Sequence, residues 1–279
     1  MAQLKARPWR AHYSRKALRV AVLALLASLG LAGTTVGTAT ERVLSRSVSA
    51  SLRPVSAISA KVAAAKPSDG TGLELASVDN ARVTKWMARF TTSMRDEFAI
   101  YMKRMATYAP MIADKLAERN MPAQLVYLPM IESGYTPTAK SPAKAAGMWQ
   151  FMSETARKYG LIVNRQRDER KDPEKSTEAA LSYLSDLYKR FGSWYLAAAA
   201  YNAGPGRIAT ALKKATGRTT GTDADYSRIS SALPEETQDY VPKLIAAARV
   251  ADEAIGANRA NGALVRLPGA SRSGRHSAH

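Results

Sequence analysis

From residue 81 onward apolar side chains recur every three or four positions, whereas no such period is sustained before it. Val83, Trp86, Met87, Phe90, Met94, Phe98, Tyr101, Met105 and Tyr108 fall on one stripe, the spacing of a long amphipathic helix whose aromatic and Met face is packing surface. Pro110 is expected to break that run and open a second helix through Met111, Ile112 and Leu116 to Asn120, a residue suited to the left-handed conformation that ends helices. Pro122 then begins the segment LVYLPMIESGY, residues 125–135, in which Glu132 follows Leu128, Pro129, Met130 and Ile131. Gly134 is the natural stop, which puts Glu132 in a last helical turn. There the helix dipole and apolar neighbours both disfavour negative charge, so its carboxyl should hold a proton near neutral pH. A general acid needs that property, and a carboxylate satisfied by a buried Arg would share the same local pattern.

Residues 136–146 show no period and contain Pro137 and Pro142, so they form a loop. In the following AGMWQFM, a glycine permits close approach of backbone to a ligand, Gln150 donates and accepts, and Trp149 offers a face for a sugar. A buried turn before a helix capped by Ser153 fits the same residues. After a charged loop, Asp172 and Pro173 read as a cap and first helical position. The helix they open packs through Ala179, Ala180, Tyr183, Leu184, Leu187 and Tyr188 and stops at Gly192. Trp194 to Ala200 is apolar all round and therefore a buried helix, running into Tyr201-Asn202-Ala203-Gly204-Pro205-Gly206-Arg207. A mobile linker is expected over 216–227, then a last helix from Pro234 with Tyr240, Val241, Leu244 and Ile245 on one face. The class is mostly α.

Charge and composition narrow the chemistry. Of the net charge of +18, residues 1–80 carry +7, 81–253 carry +7 and 254–279 carry +4, so basicity is spread rather than gathered into a nucleic-acid face. Cysteine is absent, and the three histidines stand at 12, 276 and 279. Thiol chemistry and histidine catalysis or metal binding inside the core are excluded, which leaves carboxylates, hydroxyls, tyrosines and amides and calls for no metal or cofactor. Asp168, Glu169 and Asp172 are the acids available as a second catalytic carboxylate, Asp172 reading as a cap and the other two as solvated loop charges. At the front, six basic residues within 1–19 precede the uncharged run Val20–Ala32, the pattern of an export signal or an uncleaved anchor. Leu31-Ala32-Gly33 is followed by Thr34 rather than cysteine, so no lipid anchor is expected. The organisation expected is a leader or anchor over 1–39, a low-complexity linker over 40–80, a domain over 81–253 with a helical extension at 81–120, and a disordered basic tail over 254–279.

Four stretches, taken in order, resemble the family 1 lytic transglycosylases, nearest to the membrane-bound murein transglycosylase D type: PMIESGY at 129–135, AAGMWQFM at 145–152, LAAAAYNAGPGR at 196–207 and LPEETQDYVPK at 233–243. The resemblance implies a lysozyme-like helical domain that cleaves the β-1,4 bond between N-acetylmuramic acid and N-acetylglucosamine in peptidoglycan. It implies Glu132 as the single acid/base, with Ser133 orienting it or the muramoyl acetamido group. Gly147, Met148 and Gln150 would line the glycan cleft, with Tyr201, Asn202 and Tyr240 beside the carboxyl. The expected product is a 1,6-anhydro end formed by the muramic acid 6-hydroxyl, with no water consumed. A muramidase using water, helped by Asp168 or Glu169, and a wall-binding protein without activity are the alternatives. Expected partners are glycan strands in the periplasm and no nucleic acid, with membrane association through an uncleaved leader left open and the chain a monomer. Relatives of this type often carry C-terminal LysM repeats, in place of which this sequence has an Arg-rich tail.

Overall fold

The computed structural model describes residues 81–264, with side chains through Ile255; the expected leader over 1–39, the expected linker over 40–80 and residues 265–279 lie outside the described residues. The order is α1 (Ala81–Thr91), α2 (Arg95–Glu118), a 3-10 turn (Ala123–Tyr127), α3 (Leu128–Ser133) and α4 (Ser153–Lys158). A second 3-10 turn (Glu169–Lys171) leads to α5 (Pro173–Phe191), α6 (Trp194–Ala203), α7 (Pro205–Thr216), α8 (Asp223–Ser230) and α9 (Glu235–Leu264). Isolated bridges, such as Ala146 to Phe151, are the sole β pairing among the described residues, so the mostly α expectation holds for them.

The bundle is built around α6. Trp194 to Ala200 are all buried, and the alanines let α5, α7, α8 and α9 pack directly against the helix. A helix that is apolar all round has no stable place except inside. Ser193 caps it by accepting from the Leu196 N–H at 3.2 Å. The last helix lies across both α6 and α1, burying Val241, Leu244, Ile245, Ala248 and Ala251. Burying each large aliphatic chain of this kind contributes about 1.5–3 kcal/mol.

Several boundaries differ from those the pattern predicts. The single long helix from Val83 to Tyr108 is broken at Thr92–Met94, where the Met94 N–H reaches back five residues to the Arg89 carbonyl at 2.8 Å and the hydroxyl of Thr91 bonds the Met87 carbonyl at 2.9 Å. Pro110, in contrast, sits inside α2. The missing N–H and the ring's clash at residue 106 are tolerated because Met105, Ala109, Ile112, Ala113 and Leu116 are buried on either side. Asn120 does take the left-handed conformation, φ 53°. Ser153 is the first helical residue of α4 rather than its cap; Met152 occupies the cap position with no side-chain bond. The expected linker at 216–227 contains α8, started by a capping box between Thr222 and Asp225 and anchored by buried Asp225, Tyr226 and Ile229. The tail expected to be disordered from 254 remains helical to Leu264, because Val250, Ala251 and Ile255 extend the buried stripe of α9 by another turn and a half.

Candidate active site

Glu132 is delivered by a short helix with an abrupt end. Gly134 adopts φ 57° and its N–H returns to the Met130 carbonyl. A Cβ at Gly134 would sit 2.1 Å from the Tyr101 ring, so glycine is required here both for the left-handed turn and for the close approach of α2. The turn leaves Glu132 half-buried between buried neighbours. From α9 the Tyr240 hydroxyl donates to Glu132 Oε1 at 2.5 Å. Loss of water pushes the Glu132 carboxyl up to about 7. The Tyr240 hydrogen bond and the Lys243 ammonium oppose that rise, and the Glu236 charge adds to it. Burial also raises the Tyr240 and Tyr201 phenols well above their ordinary range, and the Glu132 charge contributes to both.

The other residues singled out in the sequence are held in place by hydrogen bonds to backbone carbonyls or, for Asn202, to side chains of α9. The Ser133 hydroxyl donates to the Met148 carbonyl at 2.8 Å and accepts from the Thr136 N–H at 3.1 Å, tying the end of α3 to the loop that follows Ala146. Tyr201 donates to the Trp149 carbonyl at 2.8 Å, fastening the same loop to α6. Gln150 sits at φ 49° and folds its amide Nε2 onto the Gly147 carbonyl at 2.8 Å. A left-handed glutamine is strained by about 1 kcal/mol or more, a cost that recurs where a side chain must be aimed. Asn202 accepts from the Thr237 hydroxyl at 2.8 Å and donates to Glu236 at 3.4 Å, joining α6 to α9.

Three assignments change. Trp149 is fully buried and its indole N–H bonds Thr177 at 3.0 Å, so its ring is core and offers no face to a sugar. Met148 is fully buried as well; its carbonyl, held by Ser133, takes part in the site's framework. Gly147 is glycine because a Cβ there would lie 1.7 Å from the Arg170 carbonyl, a packing need rather than access for a ligand.

Asp168 and Glu169 are not solvated loop charges. Asp168 takes a two-pronged bond from Arg170, at 2.8 and 2.9 Å, and Glu169 accepts from Lys175 at 2.5 Å and from the Ile162 N–H at 2.7 Å. Both are held below their usual range by these partners, Arg170 for the first and Lys175 for the second. They are fixed carboxylates, unsuited to donating a proton. Asp172 caps α5, accepting from the N–H groups of Glu174 and Lys175.

Sequence reasoning misses three participants. Buried Arg170 donates to the carbonyls of Lys144 and Phe151, at 2.9 and 3.0 Å, and so clamps both ends of the Gly147–Gln150 loop. Lys243 donates from Nζ to the Ile131 carbonyl at 3.1 Å. Glu236 is the second carboxylate whose charge reaches Glu132. Lys243 and Glu236 both lie inside the stretch 233–243, Glu236 four residues before Tyr240 and Lys243 three after it on the same helix, a spacing that signals a shared face. Among the described residues no cluster of three or more His, Cys, Asp or Glu is arranged to hold a metal ion.

Residues 109–223 match the family model described as the transglycosylase SLT domain. Over 144 residues the chain is 45% identical to the membrane-bound lytic murein transglycosylase D of Escherichia coli (strain K12), covering 51% of this chain and 31% of that protein. Over 121 residues it is 35% identical to the soluble lytic murein transglycosylase of Salmonella typhimurium (strain LT2), covering 41% of this chain and 18% of that protein. The matched stretch thus spans less than a third of either relative's length. The crystal structure of the 70 kDa soluble lytic transglycosylase of Escherichia coli overlaps 65% of this chain and 32% of its own, at 24% identity and a TM-score of 0.46. Glu132, Gln150 and Tyr201 all lie inside the residues that match the transglycosylase SLT domain model, and over that stretch the chain is similar to lytic murein transglycosylases.

Proposed function

We propose that this protein is a peptidoglycan lytic transglycosylase, with Glu132 as its acid and then its base. The observation that carries the reading is the state of Glu132: a carboxyl lifted to about 7 by desolvation, met by one phenol and set at a helix end within the matched domain. Such a group is protonated in about half the molecules at neutral pH and can both give and take a proton there.

In the proposed reaction Glu132 transfers its proton to the glycosidic oxygen as the bond from C1 of N-acetylmuramic acid breaks. The 2-acetamido oxygen of the sugar shields C1 in the way substrate-assisted glycosidases use it. The resulting Glu132 carboxylate then takes the proton from the 6-hydroxyl, whose oxygen closes onto C1. One bond to C1 is exchanged for another, the carboxyl ends protonated, and no water enters. Tyr240, by donating to the carboxylate, stabilises the intermediate charge. Tyr201, Asn202 and Gln150 are the groups proposed to orient the ring; positioning of this kind supplies the part of the rate that acid/base transfer does not.

The alternative with an observation behind it is hydrolysis assisted by a second carboxylate. Asp168 and Glu169 are consumed in ion pairs, and Glu236, exposed and electrically coupled to Glu132, takes their place in that reading. The names of the relatives favour the lyase. An envelope location follows from the same relatives, and the basic, then uncharged, segment at 1–32 is proposed to direct export. No helix among the described residues is long and apolar enough to cross a membrane. The direct test is clearing of purified sacculi: the native protein clears them and Glu132→Gln does not, whereas full clearing by Glu132→Gln overturns the assignment.

A further inference from the structure

Helix α1 lies outside the matched residues 109–223, yet it packs against Lys243, which bonds the peptide beside the candidate carboxyl. Its Trp86 ring lies 5.1 Å from the Lys243 ammonium, with the Arg89 guanidinium 4.4 Å from the same ring. Lys243 in turn donates to the Ile131 carbonyl at 3.1 Å, one peptide before Glu132. The Trp86 Nε1 is buried without a hydrogen-bond partner, so what the site uses is the π face and not the N–H. A desolvated ring face attracts a cation.

We propose that Lys243, steadied by the ring of Trp86, is a positioning residue for Glu132. Its ammonium fixes the peptide that carries Glu132 and supplies the positive charge that lets the carboxyl part with its proton and recover it within one turnover. The inference rests on the acid/base reading of Glu132 given above.

The charged groups facing Lys243 come from four elements: Glu132 on α3, Glu236 on its own helix, Arg89 on α1 and Glu97 on α2. Loss of water lowers the Lys243 pKa, Arg89 lowers it further, and the three acids hold it up. The balance explains why a lysine is tolerated here: the Trp86 ring and the Ile131 carbonyl replace its water on one side while the acids face it on the other. Without Lys243, only the Tyr240 hydrogen bond would oppose the desolvation of Glu132. The carboxyl would then keep its proton too firmly to serve as the first-step donor and would be slow to reach the carboxylate form. The arrangement also gives α1 a task in the reaction that its stripe of apolar residues does not announce.

The test is a carbon-13 NMR titration of the Glu132 carboxyl in the full-length, glutamate-labelled chain, with the resonance assigned by its loss in Glu132→Gln. The Lys243 charge lowers the Glu132 pKa, and an opposite charge within about 4–6 Å moves a carboxyl by about one pH unit or more. Lys243→Met should therefore raise the Glu132 midpoint by about one unit, Lys243→Arg should leave it near the native value, and Trp86→Ala should raise it by less than Lys243→Met. Trp86→Ala leaves the Lys243 bond to Ile131 in place and so reports on the same effect should the methionine variant fold poorly. A purely structural lysine would move the melting temperature and not this midpoint. Midpoints in Lys243→Met and Trp86→Ala that coincide with the native one overturn the inference. Sacculus clearing by Glu132→Gln, measured on the same preparations, separately overturns the acid/base reading and leaves the titration result to stand by itself.

Discussion

Replacing Glu132 by glutamine should make the protein more stable, and only above a definite pH. The carboxyl titrates near 4.5 in an unfolded chain and at about 7 in the folded one, so the folded state binds the proton more tightly. Stability contributed by the protonated group is intact below about 4.5 and is lost as pH rises through the interval to about 7. At 1.36 kcal/mol per pH unit, the loss at pH 8 amounts to about 3 kcal/mol. Glutamine has nearly the shape of the protonated acid and still accepts from Tyr240, but it never ionises. Urea unfolding followed by far-ultraviolet circular dichroism should then show Glu132→Gln about 3 kcal/mol more stable than the native protein at pH 8 and about equal to it at pH 4, with the same slope against urea. An equal difference at both pH values, or a variant less stable at pH 8, would refute the claim that burial disfavours the ionised carboxyl.

Further outcomes follow from the same geometry. Sacculus clearing should fall about tenfold per pH unit above about 7, as the protonated form of Glu132 is depleted. Tyr240→Phe removes the hydroxyl that favours the carboxylate, so the descending limb of the pH–rate profile should move to higher pH while the maximal rate drops by about tenfold or more. Gly147→Ala drives a methyl into the Arg170 carbonyl at a positive φ, and its unfolding free energy should drop by about 3 kcal/mol or more, read in urea. Arg170→Met strands the carbonyls of Lys144 and Phe151 and the Asp168 carboxylate; the same assay should show a loss of about 3–5 kcal/mol.

What the sequence discloses and what it withholds divide along the range of the contacts involved. The stop at Gly134, the Asp172–Pro173 start of α5 and the buried character of α6 are local grammar, visible in four or five consecutive residues. The grouping of Glu132 with Tyr201, Asn202 and Tyr240 was legible through the order of four motifs, and the structure joins them by hydrogen bonds between α3, α6, α9 and the loop at 147–150. The reason for Gly147 was not legible, because the atom it accommodates belongs to Arg170, far along the chain. Trp149 looks like a sugar platform until Thr177, on a different helix, is seen to take its N–H. Asp168 and Glu169 read as solvated because their partners, Arg170 and Lys175, are drawn in by a tight loop whose closure no period reveals. The misplaced break at Pro110 shows burial overriding a proline, and α8 shows a short capped helix hidden in a polar stretch.

The product of the reaction tests the central claim most directly. Purified sacculi digested to completion by the native protein, with the released muropeptides weighed by mass spectrometry, should yield disaccharide units each lighter by one water than the hydrolysis product, ending in 1,6-anhydro-N-acetylmuramic acid. Units that carry the extra water and a free reducing end would contradict the account and assign Glu132 to a hydrolase.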